Sequence, residues 1–396
     1  MTKYVVTEYG VKNDGSLLQT QVVQDVLDKC KESGGQVVFP EGEYLVSGLY
    51  VHSNTEIVLE ENAKIYGSIN CNDYKVFDVP NGIQIYCDYS LLLNYRSFPD
   101  VQKRGNTYRQ EYRRAIFTSY GEKNISFIGK AGSLIDGQDC FDENGDEGFR
   151  GPHCIWMSSC DTITFKGINV FRAASFAWQI DGCKNILFED VTIRAGHDGV
   201  HCHLCHNILL YNCRIETGDD SIAGANVENM IIDNCYLNSS CSIFRLGGRN
   251  IIVKNTRLQG FGKYVHRYSI VKSRDEILPE EDGRRNTFFV FQFFGVESFS
   301  DFVAENIVFS NCEIDNVDGF LFYLSDSQEN LHTGAPLKEI RLENVKITRL
   351  LGPSVVKANK KYPLRIILNN VTVDGEDIKD SELFAGKDKN TIIIYE

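Results

Sequence analysis

Proline is scarce in this chain, eight in 396 residues, and no apolar run is long enough to span a membrane. An excess of positive charge is also missing. Lys and Arg number 41 against 54 Asp and Glu, a formal net charge of −13. That balance argues against a nucleic-acid partner and an anionic membrane surface. It weighs mildly against a long polyanionic substrate, unless a local basic pocket overrides it. The first residues, Met1-Thr2-Lys3-Tyr4-Val5-Val6, lack the apolar core of a signal peptide. Cysteine is plentiful, but the pattern of a disulfide framework is absent. The count is thirteen, an odd number, and Cys160, Cys183 and Cys205 follow at steps of 23 and 22, as Cys213 and Cys235 do at 22. Such spacing describes a ladder of small buried residues, a use that suits free cysteine. Reduced thiols make the cytoplasm the expected location, or the exterior if a leader has been trimmed.

What is present is a well-packed apolar fraction of 42% and a repeat. Residues 19–33 read as the one clear helix, with Val22, Val23, Val26, Leu27 and Cys30 at helical spacing and Gly34-Gly35 as its stop. From about residue 122 a period near 22 becomes explicit. Thr162, Asn185, Asn207, Asn229 and Asn250 each precede an apolar pair or triplet. The next position holds Ile163, Ile186, Ile208, Met230 and Ile251, and two further on stand Phe165, Phe188, Leu210, Ile232 and Val253. That alternation marks a strand with one face inward. A polar column (Asp190, Asn212, Asn234, Asn255, Asn311) and another apolar one (Ile193, Ile215, Leu237, Leu258, Ile314) complete the coil. Trp178, Val200, Ile222 and Ile243 read as a further inward column.

Short strands divided by asparagine turns at this period predict an all-β fold, a single-stranded right-handed parallel β-helix with an N-terminal capping helix. Residues 1–396 are expected to form one such domain, with 1–45 as its cap. The last coils run through Asn344 and Asn370. Three stretches read as insertions: Tyr89 to Arg113, Asp139 to Gly151, and 262–286. The last is highly charged, and is either a solvated loop or one folded over a cleft, where solenoid insertions tend to fall.

Chemistry concentrates between Gly196 and Ala223. The stretch carries Asp198, Asp219 and Asp220, with four of the chain's eight histidines. Asp198 and Asp220 are 22 residues apart, one period. On neighbouring coils, about 4.8 Å apart, they are expected to stack, with His197 over Asp219. Like charges that close strain a purely structural site and point to acid–base work. Singly, each aspartate could equally cap a turn. His197, His201, Cys202, His203, Cys205 and His206 invite a zinc reading, but Cys205 belongs to the inward ladder and no Cys-x-x-Cys pair recurs at zinc-ribbon spacing. The expectation is no metal and no cofactor. His197 and His201 read as sugar contacts or as groups that tune the aspartates, and Arg245 as a substrate ligand or a salt-bridged arginine.

These motifs resemble glycoside hydrolase family 28, the polygalacturonase family of β-helices. Tyr9-Gly10-Val11-Lys12-Asn13-Asp14-Gly15, the helix, and Gly34 to Tyr44 resemble the usual N-terminal cap. Ile135-Asp136-Gly137-Gln138, Arg150-Gly151-Pro152-His153-Cys154-Ile155 and Ala174-Ser175-Phe176-Ala177-Trp178-Gln179-Ile180 resemble the approach to the catalytic coils. The family's Asn-Thr-Asp-Gly and Gly-Asp-Asp are matched by Gly196-His197-Asp198-Gly199 and Gly218-Asp219-Asp220. The resemblance covers roughly residues 5 to 330. It implies Asp219 as general acid, with Asp198 and Asp220 holding the water, and inversion at carbon.

Two departures stand out. Where the family has Gly-His-Gly this chain reads Ser240-Cys241-Ser242, and for Arg-Ile-Lys the nearest match is Ile270-Val271-Lys272. Arg245, His266, Arg267 and Lys272 are candidates to rebuild a basic pocket. The resemblance therefore implies a divergent glycoside hydrolase acting on pectin-related or other plant-type oligosaccharides of the cell wall, from a chain end, with unsubstituted polygalacturonate a poor substrate. The alternatives are a uronate-directed β-helix lyase or epimerase, and a non-catalytic carbohydrate-binding β-helix. The expected partner is an oligosaccharide, with no nucleic acid and no membrane.

Overall fold

The computed structural model describes residues 1–83, 85, 112–145, 150–267, 284–295, 303–325, 336–358, 360–380 and 382–396. These fall into two compact units, one ending at His201 and the other beginning at Cys202. Each is a right-handed parallel β-helix.

In the first unit three sets of strands stack. Lys123–Gly129, Asp161–Lys166 and Lys184–Glu189 align Ile125, Ile163 and Ile186, with Phe127, Phe165 and Phe188 two positions on. The phenyl rings of Phe165 and Phe188 lie face to face at 5.0 Å. Leu134–Asp136, Asn169–Phe171 and Thr192–Ala195 align Ile135, Val170 and Ile193. Ala115–Tyr120, His153–Ser158 and Trp178–Asp181 align Phe117, Ile155 and Trp178. All of these apolar side chains are buried, which is the sequence's inward face.

The N-terminal helix is interrupted. One segment spans Thr20–Leu27 and a second, single turn spans Cys30–Ser33, because Lys29 N–H donates to Val26 O in a tightened turn. Val23, Val26, Leu27 and Cys30 are buried, whereas Val22, read as part of the apolar stripe, is 38% exposed. Gln24 shows why the helix caps this end: its side chain accepts from Tyr50 N–H (2.8 Å) and donates to Tyr50 O (3.1 Å). Backbone groups that would otherwise stay open at a strand edge are thus satisfied. Gly34, at φ +68°, passes so near Asn54 that a Cβ would lie 2.6 Å from its carbonyl oxygen, so the chain turns here only as glycine.

In the second unit one column of the register runs unbroken from Ile208 through Met230, Ile251, Ile307, Ile340 and Ile366 to Ile393. Ile215, Leu237, Leu258 and Ile314 form another. One column was misassigned. Ile222 pairs with Phe244, not Ile243, because the strand step there is 22 residues. Asn207, Asn229, Asn250 and Asn306 sit at positive φ and join side chain to side chain at 3.1, 2.9 and 2.9 Å. A second ladder joins Asn212 to Asn234 and, after Asp233 accepts from Asn255, continues through Asn311 and Asn344 to Asn370. Left-handed backbone and a stackable amide are both met by asparagine.

The cysteine ladder is buried as expected, and in the first unit Cys160 N–H donates to Cys183 Sγ at 3.2 Å. The charged run of the 262–286 insertion, the core of the Tyr89 to Arg113 stretch, and Lys272 lie outside the described residues.

Candidate active site

Asp198 lies in the first unit, Asp219 and Asp220 in the second. Each half has its own architecture.

In the first, the Gly196-His197-Asp198-Gly199 turn is pinned by Ala177 N–H on Asp198 O and Trp178 N–H on Gly199 O, both at 3.0 Å. Asp198 is buried, and its Oδ2 stands 2.6 Å from His201 Nδ1. A carboxylate only accepts, so Nδ1 carries the proton. The His201 ring lies parallel to Phe176, 4.2 Å away at 7°, and the Arg150 guanidinium sits 4.8 Å from the same phenyl centroid. Phe176 thus supports both a cation and an imidazole. His197 is wholly buried, its ring 6.1 Å from Phe141 and 6.4 Å from Phe176. This puts it beneath the surface that a sugar could reach. His153 is buried beside Phe176, and burial first, then the Arg150 charge, pushes it down to about 3. It is neutral at any ordinary pH. Asp136, in the quoted approach motif, is held by a two-pronged Arg172 guanidinium, with Nε–Oδ1 2.9 Å and Nη2–Oδ2 2.6 Å, and serves structure.

In the second half, Asp219 and Asp220 follow each other on a turn and are 8% and 2% exposed. Ser239 Oγ donates to Asp219 O (2.6 Å), and Cys241 N–H donates to Ser239 Oγ (2.7 Å). Ser242 N–H donates to the Asp220 carboxylate at 3.1 Å. These bonds hold the Asp219 main chain and the Asp220 carboxylate in place. Arg267 makes an ion pair with Asp219 Oδ2, and its Nη1 also donates to His266 Nε2 at 2.9 Å. His266 accepts there, so its proton is on Nδ1. Arg245 has no carboxylate partner among the described residues. Its Nε is buried without an acceptor, and its guanidinium lies 5.0 Å from the Phe294 ring.

The sequence reading missed Cys241, whose Sγ lies within 4.8 Å of carboxylate oxygens of Asp219 and Asp220. The 22-residue step from Asp219 lands on Cys241, a signal available but read only as a missing histidine. The three could meet the donor set of a cation, but the cation that Asp219 does hold is Arg267. Of the wider histidine and cysteine set, His203 and Cys205 are buried, and His206 faces Glu228. Phe176 and Arg150 were quoted only as motif neighbours, because ring stacking leaves no trace in sequence spacing.

Comparison with known proteins bears on this site directly. Residues 69–260 match the model of Glycosyl hydrolases family 28. This stretch is a family 28 domain. Its fold is shared with a family 28 exopolygalacturonase of Yersinia enterocolitica, at a TM-score of 0.67 and 16% identity over 94% of this chain and 71% of that one. In sequence the chain is similar to an exo-poly-alpha-D-galacturonosidase of Dickeya chrysanthemi, 29% identical over 33% of this chain and 19% of that protein. It is also similar to the plasmin and fibronectin-binding protein A of Streptococcus pneumoniae, 30% identical over 48% of this chain and 24% of that protein. The chain thus matches a quarter or less of the length of either relative. The family 28 domain contains Asp198, Asp219, Asp220 and Arg245, but ends before His266 and Arg267.

Proposed function

We propose that the protein is a glycoside hydrolase acting on pectin-related or other plant-type oligosaccharides, from a chain end and with inversion. The observation that carries this reading is the pinned Asp219–Asp220 turn, two buried carboxylates side by side within a family 28 domain. Glycosidic hydrolysis needs a carboxyl that protonates the leaving oxygen and a carboxylate that activates water. Asp219 is assigned as the acid, and Asp198 and Asp220 as the pair that orients and deprotonates water. The part given to Asp198 rests on its 22-residue spacing from Asp220 in the sequence.

An ion pair with arginine favours the ionised form of a carboxyl. Asp219 can act as an acid only once Arg267 has moved to another anion or to the substrate. Arg267 and His266 are therefore proposed as the group that exchanges Asp219 for the sugar. Arg245, with no carboxylate partner among the described residues, is proposed to meet an acidic or strongly polar substituent of the substrate. His201 is a positioning residue for Asp198, and His197 supports the same turn. Lys272 keeps its place in the basic set by sequence alone.

Incubation with defined oligosaccharides, followed by reducing-end assay, ultraviolet absorbance and proton NMR of the product anomers, tests the reading. New reducing ends of inverted configuration without the absorbance of an unsaturated uronate are expected. Polygalacturonate is expected to be cut poorly. An absorbing product would turn the assignment to a lyase. The likeness to a plasmin and fibronectin-binding protein favours a second reading, a surface-binding module, for which tight binding without turnover is the signature.

A further inference from the structure

Among the cysteines outside the ladder, Cys71 and Cys140 meet each other. Cys71 opens the single-turn helix Cys71–Asp73, and Cys140 lies in the turn that follows Leu134–Asp136. They are 69 residues apart in sequence, yet their sulfurs are 3.3 Å apart, and Cys71 Sγ also lies 3.2 Å from Cys140 O. Cys213 and Cys235 of the ladder also meet thiol to thiol, but both are buried in the strand stack, whereas Cys71 of this pair is partly exposed. We propose that Cys71 and Cys140 are a thiol-modification site, which small-molecule disulfides convert to an intramolecular disulfide bridge.

Access, reactivity and reach all agree. Cys71 is partly exposed, whereas Cys140 is buried at 3%, so one sulfur receives the reagent and the other resolves it. The hydrogen bond from Cys140 pushes the Cys71 thiol down, and the Arg114 charge adds to this against burial and Asp142. Cys235 is also pushed down, by Cys213, but both of those are buried in the strand stack. A disulfide needs its sulfurs about 2.0 Å apart, so each has well under 1 Å to travel. In the first step the Cys71 thiolate attacks one sulfur of the reagent, forming a mixed disulfide and expelling one reagent thiolate, which takes up a proton. Cys140 then gives up its proton and attacks Cys71 Sγ, expelling the second reagent thiol. The protein loses two electrons and two protons, and the reagent gains both.

The bridge would join two turns. Asn72 N–H is capped by Asn70 Oδ1 at 3.1 Å on one side. On the other, Phe141 follows Cys140 and lies against the His197 ring, while Asp142 holds Arg114 at 2.9 Å. Oxidation therefore ties the turn that touches His197 to the end of the preceding coil. None of this depends on the hydrolase reading.

The test equilibrates the full chain with oxidised and reduced glutathione, quenches in acid, alkylates the remaining thiols and maps a non-reduced digest by mass spectrometry. The expected result is the loss of two free thiols per chain and one linked peptide joining Cys71 to Cys140. Cys140→Ser should stop at one glutathione on Cys71, and Cys71→Ser should leave Cys140 free and unmodified. Full alkylation of both cysteines in excess oxidised glutathione, or a bridge that uses any other cysteine in place of this pair, would overturn the proposal. The unmodified chain decides this even if a serine variant fails to fold.

Discussion

The turn of Asp198 and the turn of Asp219 and Asp220 hold their carboxylates by different means. Asp198 leans on an imidazole, itself laid on a phenyl ring, whereas Asp219 is met by a guanidinium. Imidazole loses its charge within the physiological range and guanidinium does not. One carboxylate thus has a partner that can adjust, the other a partner that must leave. A carboxyl that gives up a proton in each cycle suits the second arrangement, provided that substrate displaces the arginine. A carboxylate that aligns water suits the first.

The largest expected effect breaks this contrast at its acid. Asp219→Asn keeps the shape and removes the proton, and should slow natural oligosaccharides by about three orders of magnitude or more, while sparing substrates whose leaving group needs no protonation. Asp198→Asn or Asp220→Asn should impair good and poor leaving groups alike. Initial rates on both substrate classes distinguish these outcomes. Near-normal turnover by folded Asp219→Asn would remove Asp219 from the role.

Arg267→Gln sharpens the comparison. Without the guanidinium the Asp219 proton is easier to keep, so the alkaline limb of the kcat–pH profile should move to higher pH. KM should rise if the arginine also meets substrate. An unmoved limb would mean that the pair does not persist in solution.

His201→Ala removes the adjustable partner and should cost about tenfold in kcat with little change in KM, as expected for loss of positioning rather than of chemistry. Steady-state kinetics read the split. An equal loss in KM would make His201 a sugar contact.

The smallest effect concerns stability alone. His153 stays neutral in the folded chain down to about pH 3, because it is buried and faces the Arg150 charge, but protonates near 6.5 once unfolded. Between those values the unfolded state binds the extra proton. Stability from this group is therefore complete above pH 6.5 and is lost as the pH falls towards 3, a few kcal/mol at most. Urea unfolding of the native chain and of His153→Gln should show the decline flattened in the variant.

The frame was legible because its turns are chemically marked. Thr162 and then Asn185, Asn207, Asn229 and Asn250 take left-handed positions, and the residue behind each, Ile163, Ile186, Ile208, Met230 and Ile251, is buried. Where the marks lapse, so did the reading: the helix breaks at Lys29 with no glycine or proline to announce it, and Phe244 takes the place given to Ile243. At the site the carboxylates were legible and their partners were not. Arg267 reaches Asp219 from beyond the 22-residue pattern, in a stretch with no register to count. Phe176 meets His201 face to face through side-chain direction, which spacing does not encode.

The asparagine ladder of the second unit takes the same step whether 21 residues separate two rungs, as between Asn229 and Asn250, or 56, as between Asn250 and Asn306. Both contacts measure 2.9 Å. Chain length and height along the stack are thus independent quantities. Because the entropy of closing a loop grows only with the logarithm of its length, a segment between rungs can lengthen, shorten or be exchanged at small cost to the frame. A family built this way can change what it recognises by rewriting the stretches between rungs, while the rungs themselves stay as they are.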